Sequence, residues 1–189
     1  MLIRSADDKH TQDILRGAIC KVESYGIGDN ADIKAENIEL LHEPGKIGLT
    51  YDCTGLVNMK VELNLPGKFS VYNSLCAIAI TRHFDVDEEA LKETLKHVKV
   101  KGRIELVKVS DDFTLMIDYA HNAMALESIL TTLKEYHPHR LVCLFGCGGN
   151  RSKERRYEMG EVSKRRSENL LTLLLSHRII QDLKSRRQL

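Results

Sequence analysis

Apolar and polar positions alternate in four stretches of the first third of the chain: Ile19 to Tyr25, Ile33 to Leu41, Ile47 to Asp52 and Asn58 to Leu63. A period of two predicts four strands. Residues 9–16 suit a short helix before or beside them. The run Asp52-Cys53-Thr54-Gly55 carries turn residues and predicts a hairpin between the last two strands. Past Pro66-Gly67 the pattern changes, and Val71 to Phe84 is apolar on most sides, as a buried helix is. A second helix is predicted from Asp87 to about His97, with Asp87, Glu88 and Glu89 complementing its N-terminal dipole. Val98 to Arg103 keeps neither period for more than a few residues and reads as a linker. Beyond it, strands are predicted at Ile104 to Val109 and Phe113 to Asp118. A helix follows from about Asn122 to Tyr136, whose Ala123, Leu126, Leu130 and Leu133 share one face. Pro138 ends that helix, and Arg140 to Phe145 is a short apolar strand of the kind found in parallel sheets. The second half is therefore an α/β unit, and no repeat or low-complexity tract interrupts the chain.

Composition narrows this picture without changing it. With 189 residues, 42% of them hydrophobic and 29% charged, the chain can bury a core in one or two domains. A net charge of +1 gives no general attraction to nucleic acid or to a membrane. The basic residues nevertheless cluster in 151–166, as either a solvated helix face or an anion site. Five cysteines, scattered and without a CxxC pair, suit reduced thiols. The first residues carry no apolar leader, and no stretch approaches the ~20 apolar residues that span a bilayer. A cytoplasmic monomer is the expectation.

Three places could carry chemistry, each with a plainer alternative. In LVCLFGCGGNRSKERR a strand passes through a glycine-rich loop into a helix. Such loops let backbone amides approach an anion, and Arg151 could grip a carboxylate or phosphate with paired donors. The alternative is a tight turn with surface arginines. Asp118-Tyr119-Ala120-His121-Asn122 ends the preceding strand, where ligands of open α/β sheets bind. Asn122 could equally be a helix cap and His121 a surface residue. Asn73, in LPGKFSVYNSLCAIAI, could read an adenine edge or merely stabilise the start of its helix. No His/Cys grouping has metal-ligand spacing and no nucleophile elbow occurs.

Taken together and in this order, these motifs resemble the Mur ligase family. LPGKFSVYNSLCAIAI is similar to its adenine-side helix, and KGRIELV to its crossing into the C-terminal domain. DYAHNAMALESIL with LFGCGGNRSKERRYEMGEV resembles the branch that forms the tripeptide. Ser5-Ala6-Asp7-Asp8 resembles the family's N-A-D-D segment, with Ser5 in place of Asn. The resemblance covers roughly residues 1–166. It implies the C-terminal part of the central ATPase domain in 1–101 and the first part of a Rossmann-like C-terminal domain in 102–166.

The same resemblance implies a ligase that uses ATP and Mg2+ to activate a carboxylate as an acyl phosphate, which an amine then attacks. The implied substrates are a UDP-MurNAc-dipeptide and meso-diaminopimelate, with lysine as the alternative amino acid. Asn73, Arg103, Asp118 and His121 would lie on the nucleotide side, and Arg151 would hold a carboxylate of the incoming amino acid. Ser70 stands where many members carry Asn, which puts one adenine contact in question. The family's Walker-type loop, magnesium ligands and activating lysine are expected upstream of residue 1, so this chain alone is expected to be inactive.

From about residue 167 the family pattern stops and the chain reads ENLLTLLLSHRIIQDLKSRRQL. If each codon's third base is joined to the next codon's first two, synonymous codons exist for which this stretch becomes KLADLTIITSDNPRFEKPQA. That reading restores a strand and the D-N-P-R motif of the family. An out-of-frame tail over 167–189 is therefore expected, helical in pattern through Leu170, Leu171, Leu174 and Leu175, and unable to complete the C-terminal sheet.

Overall fold

The computed structural model describes residues 1–43, 46–147, 152–165 and 170–174. The chain divides into two compact units, residues 1–118 and 119–189. The first is built on a five-stranded mixed sheet in the order β1 (Leu2–Ser5), β2 (Val22–Gly26), β3 (Ile33–Glu43), β4 (Lys46–Gly55) and β5 (Met59–Leu63). β1, β2 and β3 run parallel, and β3, β4 and β5 form an antiparallel meander.

Period-two alternation supplies the core of this sheet. Leu49, Tyr51 and Cys53 of β4 and Met59, Val61 and Leu63 of β5 are all buried, with Ile33 and Ala35 of β3 beside them. They pack with Val71, Leu75, Ile78 and Ala79 of helix α2 (Lys68–Thr81). Burial pushes the Cys53 thiol up to about 11, because the thiolate would lose its hydration. Helix α3 (Glu88–His97) adds Leu95 to the same core. The Asp87 carboxylate caps α3 by accepting the Ala90 N–H at 2.8 Å. Helix α1 is a single turn (Thr11–Ile14). The unit ends in a small antiparallel hairpin of β6 (Glu105–Val107) and β7 (Leu115–Ile117).

In the second unit, helix α4 (Ala123–Lys134) buries Leu126, Ile129 and Leu130. Strand β8 (Leu141–Phe145) and helix α5 (Lys153–Arg165) follow, the latter burying Met159 and Val162. The β8 thiol, Cys143, is also raised by burial. Strand β9 (Leu170–Leu174) pairs parallel to β8. The expected α/β class is thus what the chain adopts.

Four differences from the sequence reading have local causes. Asp52 to Gly55 is not a turn but the end of β4, with Cys53 opposite Ala35 and Gly55 opposite Ile33. Its polar positions lie on the face away from the core. There Thr54 Oγ1 donates to Glu36 Oε2 at 3.1 Å, and Asn37 Nδ2 donates to Asp52 Oδ2 at 2.8 Å. Second, β2 starts at Val22, where its pairing with Leu2 of β1 begins, and Ile19 is fully exposed. Third, α2 begins at Lys68, three residues before its apolar run, because Gly67 at φ 89° turns the chain directly into the helix. Fourth, Leu170–Leu174 is a strand, not a helix, and it does extend the sheet of β8. A short apolar run without Gly or Pro suits either state, and the unpaired edge of β8 selects the strand. The other residues of the tail lie outside the described residues.

Candidate functional site

β1 and β2 are parallel, so their carboxyl ends meet at one edge of the sheet. The Ala6 N–H donates to the Tyr25 carbonyl at 2.8 Å, which delivers Asp7 to the loop that follows β2. There the Asp7 carboxylate accepts the Ile27 N–H at 2.7 Å, the Tyr72 hydroxyl at 2.7 Å and the Gly28 N–H at 3.2 Å. Burial alone would raise this carboxyl, but the bonds from Ile27, Tyr72 and Gly28 together outweigh it and hold the group below its ordinary range. The Tyr72 phenol is pushed up to about 12, first by burial and then by its bond to Asp7. Glycine at 26, the last residue of β2, and at 28, in the loop, allows this close approach. A Cβ on Gly26 would lie 2.7 Å from Asp7 Oδ2, and one on Gly28 would overlap Oδ1.

Tyr72 therefore fastens the second turn of α2 to the carboxyl edge of the sheet. Asn73, the next residue, is exposed. It is the sixth residue of α2, too far along to satisfy the free amides of the helix start, so the plainer reading of Asn73 fails. Ser70, in contrast, is buried and donates its hydroxyl to the Pro66 carbonyl at 2.8 Å. That bond occupies the Ser70 hydroxyl as a donor.

The other end of α2 is held by charge. Glu23 of β2 is 2% exposed and lies 3.0 Å from Lys21 Nζ, 2.6 Å from Arg82 Nη1 and 2.9 Å from His83 Nε2. These partners, Lys21 foremost, draw its carboxyl down to about 2 against the opposing effect of burial. Midway, Tyr25 of β2 meets Cys76 of α2, and burial followed by that hydrogen bond pushes its phenol up to about 12.

Arg103 and Asp118 come together at the hairpin end of the first unit. Arg103 is exposed, and its N–H donates to the Val100 carbonyl at 2.9 Å. Asp118 Oδ2 accepts the N–H of the intervening Ile104 at 3.0 Å. His121 lies in the second unit, where its Nδ1 is 3.1 Å from the Tyr119 carbonyl and its ring stands 5.0 Å from that of Tyr119. Asn122 is a helix cap, its Oδ1 accepting the Ala125 N–H at 2.8 Å. Arg151 and the glycines at 148 and 149 lie outside the described residues. Among the described residues no three His, Cys, Asp or Glu side chains are grouped so as to hold a metal ion. No helix among them is long and apolar enough to cross a membrane.

The sequence reading missed the Tyr72 tether and the Glu23 cluster, and saw Asp7 only as part of a motif. A signal did exist for Glu23, a charged residue in line with inward-facing positions of a strand. For Tyr72 there was none, since its partner is 65 residues away.

Comparison with known proteins identifies the family and the fold. The family model for the Mur ligase middle domain matches residues 1–81, and that for the Mur ligase glutamate ligase domain matches residues 102–184. A UDP-N-acetylmuramoyl-L-alanyl-D-glutamate–2,6-diaminopimelate ligase of Caldanaerobacter subterraneus is 37% identical over 157 residues, which is 83% of this chain and 32% of that protein. The corresponding ligase of Halalkalibacterium halodurans is 36% identical, over 85% of this chain and 33% of its own. This chain thus spans about a third of the length of these curated relatives. Among solved structures, MurF from Acinetobacter baumannii superposes with a TM-score of 0.75 at 19% identity, covering 94% of this chain and 38% of that one. At that identity the likeness is one of fold.

Proposed function

The chain belongs to the Mur ligase family, and from that premise we propose that it is the nucleotide-side and amino-acid-side portion of an ATP-dependent amide-forming ligase. The enzyme would join meso-diaminopimelate to UDP-MurNAc-L-Ala-D-Glu in the synthesis of peptidoglycan precursors. The observation that carries this reading is the 37% identity, over 83% of this chain, to a ligase named for that reaction.

The residues at hand fit one half of the cofactor. Asn73 is exposed on a helix pinned by Tyr72 and Asp7, so its amide can meet an adenine edge with little further ordering. Arg103 offers a positive charge for phosphate beside Asp118, and His121 is assigned to the nucleotide by the family resemblance. Arg151 would hold a carboxylate of the incoming amino acid in a charge-assisted pair. When bound, ATP would supply the phosphoryl group that activates the substrate carboxylate. The role of these side chains is to place the reactants and to oppose developing negative charge, which acyl transfer needs more than a protein nucleophile. Among the described residues no group of His, Cys, Asp or Glu side chains fits a magnesium ion. Residues 167–189 would then be an out-of-frame stretch.

Two assays test it. The chain as it stands should show no tripeptide synthesis with ATP, magnesium and diaminopimelate, and turnover above a no-protein blank would refute that. In a protein completed with the upstream domain and the shifted reading of the tail, activity should appear with diaminopimelate in preference to lysine. There Arg151→Ala should raise KM for the amino acid by about 2–3 kcal/mol and leave KM for ATP nearly unchanged. Equal effects on both substrates would show that Arg151 does not touch the amino acid.

A further inference from the structure

Ile104 has a backbone conformation that its side chain disfavours. Its φ is +50°, in the left-handed region, where a β-branched residue is out of place. A glycine would relieve the backbone, but Ile104 is only 6% exposed, so its side chain is retained by burial. The residues around it explain how the turn is held. Gly102, at φ +70°, donates its N–H to Glu105 Oε2 at 2.7 Å. Arg103 donates its own to the Val100 carbonyl. Glu105 pairs with Ile117 as the last step of the β6–β7 ladder, which sets Ile104 opposite Asp118 one step further on. There the chain turns out of the ladder, and Asp118 Oδ2 takes the Ile104 N–H at 3.0 Å. Ile104 is thereby directed inward while its neighbour Arg103 is exposed.

We infer that Asp118 is a positioning residue for Arg103: its carboxylate holds Ile104 in the left-handed turn that presents the guanidinium outward. That Arg103 meets a nucleotide phosphate rests on the function proposed above; the hold on Ile104 does not. The experiment is therefore made on the 189-residue chain without nucleotide. In isotope-labelled wild type, a through-hydrogen-bond scalar coupling should connect the Ile104 amide nitrogen with the Asp118 side-chain carboxyl carbon. The Ile104 backbone coupling constants should report positive φ. Asp118→Ala should speed amide exchange at Ile104 by roughly ten- to a hundredfold, the range a lost hydrogen bond to a charged group implies, and should shift the Arg103 side-chain resonances. Asp118→Asn keeps an acceptor oxygen and should restore both. The inference is overturned if the wild-type coupling is absent, or if Ile104 exchange and Arg103 resonances are the same in Asp118→Ala as in wild type. The wild-type coupling decides the matter even where the Ala variant does not fold.

Discussion

At the scale of single residues, two carboxylates do most to fix the candidate site. Asp7 accepts three hydrogen bonds in a space that only glycine at 26 and 28 leaves open. Gly28→Ala should expel the carboxylate and lose those bonds together, a cost of about 1–3 kcal/mol. Because both changes remove the same contacts, Asp7→Ala and Gly28→Ala should be far from additive in urea denaturation. Additivity would mean that the two residues act separately. Glu23 governs acid behaviour instead. Its carboxyl falls from 4.5 to about 2 on folding, so its contribution is fully present above about pH 4.5 and is lost as pH drops towards 2. Glu23→Gln should flatten the loss of stability across that window. Thermal melts between pH 2 and 5 would check it, and a slope unchanged from wild type would assign the acid limb to other groups.

At the scale of elements, helix α2 carries the burden. Leu75 and Ile78 are completely buried, whereas Ile80 is 45% exposed. Leu75→Ala should cost about 2–5 kcal/mol and Ile80→Ala far less, near the surface value of about 0.5 kcal/mol. Comparable losses at the two sites would mean that the helix does not face the sheet as described. The existence of α2, α3, α4 and β8 was legible in the sequence because each keeps one period over a full element. Where one residue type argued against the period, reading failed. Asp52 and Gly55 looked like turn chemistry, yet Tyr51 and Cys53 kept the alternation unbroken. The leucines of 170–174 fit two periods, and only the partner strand could choose. The motifs singled out Asn73, Arg103 and Asp118, whose place at a nucleotide is a proposal. The supports of α2 were not legible, because Asp7 with Tyr72 and Glu23 with Arg82 are contacts between distant parts of the chain.

At the scale of the whole molecule, the out-of-frame proposal makes a demand on the gene. Every codon from Glu168 on must belong to the synonymous subset that spells KLADLTIITSDNPRFEKPQA one frame over, and the change of frame must fall between about Ser163 and Ser167. A single codon outside that subset would end the proposal, and sequencing the DNA decides it. The shifted reading places LTIIT over 172–177, so it overlaps only the last three residues of the strand at Leu170–Leu174.

The two shielded thiols offer something else. Cys53 is buried in the first unit and Cys143 half-buried in the second, and desolvation leaves each less acidic than a free thiol. An alkylating reagent attacks the thiolate, so each sulfur reacts faster when its own unit opens, Cys143 from a higher starting rate because it is only half-buried. Rates of modification at the two positions, read separately by mass spectrometry, are thus independent clocks for the two halves. Parallel rises in rate across a denaturant series would mean that the units open as one, and an earlier rise at Cys143 that the second unit opens while the first stays closed.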